Sequence, residues 1–269
     1  MAWRLGCQTV RYGAAELAFW LSLGLLAPVI AWQGRRVRRN TLRLPEPAGK
    51  RDSVPESGPN DYRVLIVGDS AAAGVGVAHQ SQALLGQLVE RLNRNTGQPD
   101  HKPPVAYRLM ANTGDALADV LARQLSSAAP VHPSNSLGDQ ASPAAERFDL
   151  VLVSVGVNDV TGFTSLAQWQ RGLLALNQTL QQGHSPSLVL FTQVPPMHHF
   201  PALPHPLRGL LGWRARQLNR VLADTLGPSQ LLTVNIPFDD AYMAEDGFHP
   251  GELGYGIWAE AVVQRLNRP

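Results

Sequence analysis

Apolar residues recur along residues 61–269 in two alternating patterns, which together predict a parallel α/β domain. Five short runs rich in branched apolar residues are typical of strands that are buried on both faces. These runs are Val64–Val67, Val105–Met110, Leu150–Val155, Leu188–Thr192 and Leu231–Asn235. The stretches with helical apolar spacing are Ala83–Leu92, Ala116–Leu125, Leu166–Leu180, Leu210–Leu226 and Leu253–Leu266. Since strand and helix alternate, we expect right-handed crossovers and a parallel sheet covered by helices on both faces, with ligands bound beyond the carboxyl ends of the strands.

A separate apolar stretch of nineteen residues runs from Ala14 to Trp32 near the N-terminus, interrupted only by Glu16 and Pro28. As a helix it would just span a hydrocarbon core of about 30 Å. An arginine cluster follows at once: Arg35, Arg36, Arg38 and Arg39. This pattern favours a single-pass inner-membrane anchor, and the positive-inside rule then places the domain in the cytoplasm. A cleaved signal peptide, with a periplasmic or secreted domain, and an interfacial helix are the alternatives.

The chain therefore divides into three predicted parts. Residues 1–40 form the membrane anchor with its arginine-rich flank, residues 41–60 a proline-rich linker, and residues 61–269 the folded domain. Residues 126–147 are rich in Ala, Ser and Pro without any period, which predicts a surface insertion.

Charge and cysteine content argue against some classes of binding partner and metal site. Residues 1–60 contain nine Lys and Arg against four Asp and Glu, whereas residues 61–269 contain fourteen against seventeen. This distribution argues against a nucleic-acid-binding face on the domain and favours an anionic membrane surface near the N-terminus. The single cysteine, Cys7, excludes an internal disulfide and a cysteine-rich metal site. Nothing in the pattern calls for a metal or cofactor, and the oligomeric state is left open.

Two motifs at opposite ends of the domain supply a serine, a histidine and an aspartate. Gly68-Asp69-Ser70 follows the first predicted strand, and Asp246 lies three residues before His249. A serine hydroxyl becomes a good nucleophile when a histidine takes its proton and a carboxylate orients that histidine. Each motif alone is equally typical of a helix cap, but the two together favour a serine enzyme.

Two further strand ends provide hydrogen-bond donors. Asn112-Thr113-Gly114 follows the second strand, and Gly156-Val157-Asn158-Asp159 follows the third. Acyl transfer requires two or three donors directed at one oxyanion. A glycine amide and an asparagine side chain, with the amide of Ser70, meet this requirement.

These four blocks resemble the SGNH hydrolases, also called the GDSL esterase/lipase family, over roughly residues 61–267. The resemblance implies a three-layer α/β/α sandwich with a five-stranded parallel sheet. It further implies that Ser70 is the nucleophile, that Asp246 and His249 complete the triad, and that Ser70, Gly114 and Asn158 form the oxyanion hole. The leucine often found after the family's Gly-Asp-Ser is Ala71 here.

The segment after the fourth strand is predicted to border the substrate pocket, because it follows the carboxyl end of a strand. The candidate contacts within it are Met197, His198, Phe200 and Leu203. A structural loop and a histidine metal site are the other interpretations of this segment. The chain is thus expected to hydrolyse carboxylic esters, with lipid or lysophospholipid esters as substrates; a carbohydrate O-acetyl esterase or acetyl transferase with the same triad is the alternative.

Overall fold

One parallel sheet forms the centre of the domain in the computed structural model, which describes residues 2–58, 61–94, 105–128 and 146–267. Its strands are β1 (Arg63–Gly68), β2 (Ala106–Ala111), β3 (Leu150–Ser154), β4 (Leu188–Thr192) and β5 (Leu231–Leu232). They lie in the order β2-β1-β3-β4-β5, and each neighbouring pair is parallel. Since β1 lies between β2 and β3, the three strand ends that carry the predicted chemistry are adjacent.

Helices cover both faces of the sheet. They are α1 (Ala2–Asn40), α2 (Ser70–Ala73), α3 (Leu84–Arg94), α4 (Leu117–Ala128), α5 (Val157–Thr161), α6 (Leu166–His184), α7 (Leu207–Leu226) and α8 (Glu252–Leu266). Leu65 and Val67 of β1 face a core shared with α4, α6 and α7, whereas Val64 and Ile66 face a core shared with α3 and α8. The predicted three-layer sandwich with five parallel strands is therefore confirmed.

The fifth strand is shorter than the predicted Leu231–Asn235. Only Leu231 and Leu232 pair with β4, and the chain then leaves the sheet. Val234 and Ile236 turn their side chains toward the cavity above the strand ends. At this edge of the sheet, the alternating apolar residues therefore form part of a cavity wall as well as part of a strand.

The long apolar helix α1 is present, and its segment Gly13–Asn40 is long and apolar enough to cross a membrane by length and composition. In the structure one face of α1 packs along α6 and α7. Phe19 is completely buried and Ile30 is 6% exposed. The side chains on this face recur every three or four residues, as in the seam of a helical bundle. They are Phe19, Leu23, Leu26, Ile30, Gln33 and Val37.

Polar contacts fix the position of α1 on the domain at two places. Near its start, Glu16 forms an ion pair with Arg214. Seventeen residues later, Gln33 Nε2 donates to the carbonyl of His205 over 2.7 Å, and its Oε1 accepts from the amide of Leu207 over 3.1 Å. Gln33 thus supplies an acceptor to a backbone amide in the first turn of α7, which has no partner within its own helix.

The segment predicted as a linker is extended but lies against the edge of the sheet. The amide of Leu109 donates to the carbonyl of Arg51, and the amide of Ser53 donates to that of Tyr107, each over 2.8 Å. These bonds satisfy backbone groups on the outer side of β2. Most of the predicted insertion at residues 126–147 lies outside the described residues.

Candidate active site

Ser70 stands at the carboxyl end of β1, where the chain turns into the short helix α2. Asp69 caps this helix, because its Oδ1 accepts a hydrogen bond from the amide of Ala71 over 3.1 Å. The next residues are all alanines, and Ala72 and Ala73 are buried. The small side chains leave the Ser70 hydroxyl accessible from the cavity, which it lines.

The structure brings the three predicted triad residues together. His249 Nε2 lies 2.8 Å from Ser70 Oγ, and His249 Nδ1 lies 2.5 Å from Asp246 Oδ2. With a proton on Nδ1 donated to the carboxylate, Nε2 carries a lone pair that accepts from the Ser70 hydroxyl. This is the arrangement in which histidine acts as a general base toward serine.

A close backbone approach couples the loop of His249 to the loop after Ser70. Gly76 has φ +114°, and a Cβ at this position would lie 2.3 Å from the carbonyl oxygen of Pro250. Any side chain would therefore push the two loops apart. The distance between nucleophile and base thus depends on this glycine.

The carboxylate of Asp246 is held in its charged form. Burial alone would raise the pKa of Asp246, but hydrogen bonds from the His249 ring and from the amides of His249 and Phe248 outweigh it and lower the pKa. Asp246 Oδ1 accepts those two amides over 3.0 and 2.9 Å. A carboxylate fixed in this way orients the imidazole and stabilises the imidazolium that forms when the serine proton is taken.

The pKa of a second carboxyl, that of Asp69 next to the nucleophile, is shifted in the opposite direction. Complete burial raises the pKa of Asp69 to about 7, against the lowering effect of hydrogen bonds from the Ala71 and Ala72 amides and of the nearby His249. Burial likewise raises the pKa of Asp159, which accepts from the Leu117 amide. These two carboxyls hold helix ends around the site.

The expected oxyanion donors lie around the same cavity as Ser70. Gly114 has φ +92° with open space where a Cβ would be, and its amide donates to no acceptor among the described residues. Asn158 Nδ2 gives one hydrogen to the carbonyl of Asp115 over 2.8 Å, which leaves its second N–H for another acceptor. The two donors and the nucleophile thus line one cavity at the ends of β1, β2 and β3.

Gly156 is required for the position of Asn158. Its φ is +123°, and a Cβ there would lie 2.4 Å from Val194 and 3.1 Å from the Trp169 ring. The chain therefore turns sharply from β3 into α5, which places Asn158 at the cavity.

The predicted contacts in the loop after β4 differ in whether they line the cavity. Met197, Phe200 and Leu203 are at most 3% exposed and line the cavity. His198 does not line it; this side chain lies instead over Gly212, whose missing side chain lets the loop approach α7 closely. Within the described part of the chain, no group of three or more His, Cys, Asp or Glu is placed to hold a metal ion.

The cavity above the strand ends encloses about 1300 Å³. Sequence reasoning missed that α1 and the segment after it form one side of this cavity. The lining residues from this region include Leu23, Ala27, Ile30, Ala31, Gly34, Val37, Leu42 and Leu44. Two polar residues in this region could have indicated this packing: Glu16 and Gln33 lie on the face of α1 that packs against the domain.

Comparison with known proteins agrees with this fold. Residues 66–257 match the GDSL-like Lipase/Acylhydrolase family. Among solved structures, a lipase from a goat rumen metagenome, Lip_vut3, has a TM-score of 0.56 at 15% identity, over 76% of this chain and 97% of its own. The esterase EstA from Pseudoalteromonas sp., described as inhibited by monoethylphosphonate, has a TM-score of 0.52 at 16% identity over 77% and 97%.

An acetyl xylan esterase from Geobacillus stearothermophilus, Axe2, is similar to the same degree. Its TM-score is 0.51 at 16% identity, over 77% of this chain and 95% of its own. Curated protein sequences give no significant match. The fold is thus shared by proteins described as acting on different esters.

Proposed function

The chain belongs to the GDSL-like lipase/acylhydrolase family, a family of carboxylic ester hydrolases, and on this premise we propose that it cleaves acyl esters through an acyl-Ser70 intermediate. The observation that carries this proposal is the position of the His249 ring, with Nε2 at Ser70 Oγ and Nδ1 at Asp246 Oδ2. A nucleophile, a base and an orienting carboxylate in contact are the requirement for nucleophilic acyl transfer.

In the proposed reaction Ser70 Oγ attacks the ester carbonyl carbon while His249 Nε2 takes the hydroxyl proton. The oxyanion accepts hydrogen bonds from the amides of Ser70 and Gly114 and from Asn158 Nδ2. His249 then gives its proton to the leaving alkoxide, which departs as an alcohol. Water then attacks the acyl-serine carbonyl carbon in the same way: His249 takes the water proton, the carboxylic acid leaves, and Ser70 recovers its hydrogen.

The cavity supports an acyl ester with a large apolar group as the substrate. Its volume of about 1300 Å³ exceeds the roughly 300–1000 Å³ that accommodates a drug-sized ligand. Its lining is mainly apolar, with Met197, Phe200 and Leu203 among the buried contributors. An acetyl group would leave most of this apolar surface uncovered, so we place lipid-like esters ahead of O-acetyl carbohydrates.

Membrane association is part of the proposal. The outer face of α1 exposes a row of large apolar side chains: Leu17, Leu21, Leu25, Val29 and Trp32. The exposed Arg35, Arg36 and Arg39 follow this row. An apolar helix face next to cations suits an anionic membrane surface, which favours the cytoplasmic leaflet.

The docked helix favours a position along the membrane surface. A single-pass anchor would place residues 14–32 in the hydrocarbon core, and Glu16 would have to leave Arg214. Carbonate washing of membranes distinguishes the two arrangements, because it releases a surface helix and retains a spanning one. A cleaved signal peptide would instead shorten the mature chain after Ala31, which intact-protein mass measures.

The test of the mechanism uses ester turnover and labelling by an active-serine phosphonate probe. We expect the full chain to hydrolyse p-nitrophenyl esters and to bind the probe covalently, and we expect Ser70→Ala and His249→Ala to lose both. Ser81→Ala is the matched control: Ser81 Oγ lies 2.9 Å from His79 Nδ1 on an exposed surface, so that pair has the same two residue types outside the cavity. Full turnover by Ser70→Ala would contradict the mechanism.

A series of acyl esters from acetate to dodecanoate tests the substrate class. Rising kcat/KM with chain length supports lipid-like esters. A maximum at acetate would favour the O-acetyl esterase or acetyl transferase reading and overturn the lipid assignment.

A further inference from the structure

Helix α1 forms one wall of the cavity that contains Ser70. Seven of its residues line the cavity together with Ser70 and His249: Leu23, Ala27, Ile30, Ala31, Gly34, Val37 and Arg38. They recur at helical spacing and therefore form one continuous strip along the helix. The side chains on this strip are small or apolar, except for Arg38 at its C-terminal end.

Another part of the cavity wall comes from the loop after β4 and from α7. Phe200, Leu203 and Leu211 line it, and all three are at most 3% exposed. Phe200 is itself held by Phe238 and Phe248, with ring centroids 5.4 and 5.8 Å away. The part of the cavity lined by these residues and by α1, called the cleft below, is thus mainly apolar, and Ser70 lines the same cavity.

The polar tethers of α1 keep this cleft at a fixed width. Glu16 binds the fully buried Arg214 at one end, and the carbonyl of Ala15 accepts from Gln217 Nε2 over 2.9 Å. Gln33 bonds the backbone on either side of Pro206 at the other end. A wall held at both ends stays in place when a chain enters, so less ordering is needed on binding.

We propose that α1 is the chain-length-determining wall of the acyl site, and that the acyl chain of the substrate lies between α1 and the loop after β4. This inference rests on the proposed function, since it assigns a place for the acyl group that Ser70 receives. Each methylene that enters such a cleft adds up to about fourfold to kcat/KM through apolar burial. The substrate class is then esters of medium- and long-chain acids.

The test fills the cleft from the α1 side. Ala27 lines the cavity and is exposed within it, so Ala27→Trp occupies the cleft without displacing packed neighbours. In the full chain we expect this variant to lose at least about tenfold in kcat/KM for p-nitrophenyl dodecanoate. Turnover of p-nitrophenyl acetate, which needs only the region next to Ser70, should stay within about twofold.

Ala18→Trp is the matched control, because Ala18 is exposed on the same helix and does not line the cavity. It adds the same side chain to α1 without entering the cleft, and both esters should be turned over as in the wild type. Equal loss of dodecanoate turnover in the two variants would assign the effect to membrane or helix properties and overturn the inference.

The outcomes separate this inference from the proposed function. Unchanged dodecanoate turnover in Ala27→Trp, with Ser70-dependent hydrolysis intact, would overturn the role of α1 alone. Absence of Ser70-dependent hydrolysis for every ester in the wild type would overturn the proposed function itself.

Discussion

Glu16 of α1 and Arg214 of α7 form an ion pair in which Oε1 and Nη2 are 3.0 Å apart and the arginine side chain is completely buried. The guanidinium also lies over the ring of Phe19, 4.6 Å from its centroid. A buried guanidinium requires a charged partner. The N-terminal helix is therefore part of the electrostatic structure of the domain, since it brings that partner.

The first prediction concerns this pair. Glu16→Gln keeps the shape of the side chain and removes its charge, so the buried Arg214 loses its compensation. We expect the free energy of unfolding to fall by about 3 kcal/mol, the lower end for a broken buried pair because Glu16 is 20% exposed. Urea unfolding followed by circular dichroism measures the change.

Glu90→Gln is the control, since Glu90 pairs with Arg94 on a surface where both side chains are more than half exposed. It should cost at most about 0.5 kcal/mol. Equal effects of the two substitutions would show that Arg214 does not depend on α1.

The sheet was predictable from sequence because its central strands are buried on both faces. Val64–Val67 and Leu150–Val155 form nearly unbroken apolar runs, which occur in few other settings. At the edge of the sheet this signal fails: Val234 and Ile236 continue the apolar alternation but face the cavity. An apolar pattern indicates that side chains are buried, but it does not identify the neighbour that buries them.

The same limit explains what was predictable about the site and what was not. Ser70 lies in a local motif after a strand and His249 in a local motif before a helix, so residue types and places along the chain suffice to predict that they meet. Helix α1 is different, because lipid and protein both bury apolar side chains. Arg214 occurs in an arginine-rich helix and resembles a solvated residue, yet its partner Glu16 lies 198 residues away.

The second prediction tests the orienting carboxylate. In Asp246→Asn the new amide donates to His249 Nδ1, so the ring proton moves to Nε2 and the base can no longer accept from Ser70. We expect kcat for p-nitrophenyl acetate to fall by about 10⁴-fold with a native circular dichroism spectrum. A loss of less than about tenfold would contradict the triad assignment.

The third prediction tests the oxyanion donor. Asn158→Ala removes an N–H from the cavity above Ser70, and this bond matters mainly when the oxyanion has formed. We expect kcat to fall by about 10²- to 10³-fold while KM changes little. Asn177→Ala is the control, because Asn177 bonds Gln230 on the far side of α6, and it should retain wild-type kinetics. A rise in KM at unchanged kcat would assign Asn158 to ground-state binding instead.

The fourth prediction concerns pH and Asp69. Burial raises the pKa of Asp69 to about 7, well above its value of about 4 in the unfolded chain. The folded protein therefore holds this proton more tightly, and the contribution of Asp69 to stability falls as the pH rises from about 4 to about 7. Asp69→Asn, which keeps an acceptor for the Ala71 amide, should lose this dependence.

The measurement is the difference in unfolding free energy between the wild type and Asp69→Asn across that pH range. The unfolding free energy of the variant, relative to that of the wild type, should rise steadily up to about pH 7 and then stay constant. The lowered pKa of Asp246 acts in the opposite direction, but it is present in both proteins and cancels. A difference that does not vary with pH would contradict the assignment to Asp69.

The last prediction concerns Glu46, which links the segment before β1 to the loop that carries Gly114. Glu46 Oε1 accepts from both the amide and the hydroxyl of Thr113 over 2.8 Å, and its Oε2 accepts from Arg51 over 2.7 Å. Burial raises the pKa of Glu46, but these three donors outweigh it and lower the pKa. The carboxylate therefore positions the residue next to the proposed oxyanion donor.

We expect Glu46→Ala to lower kcat by about tenfold, because a displaced Gly114 amide no longer meets the oxyanion. Glu46→Gln keeps an acceptor oxygen for Thr113 and should restore most of the rate. Glu56→Ala, which removes only an exposed pair with Lys50, is the control for loss of charge in this segment. If Gln and Ala at position 46 reduce kcat equally, the hydrogen bonds to Thr113 do not position the loop, and the charge of Glu46 acts in another way.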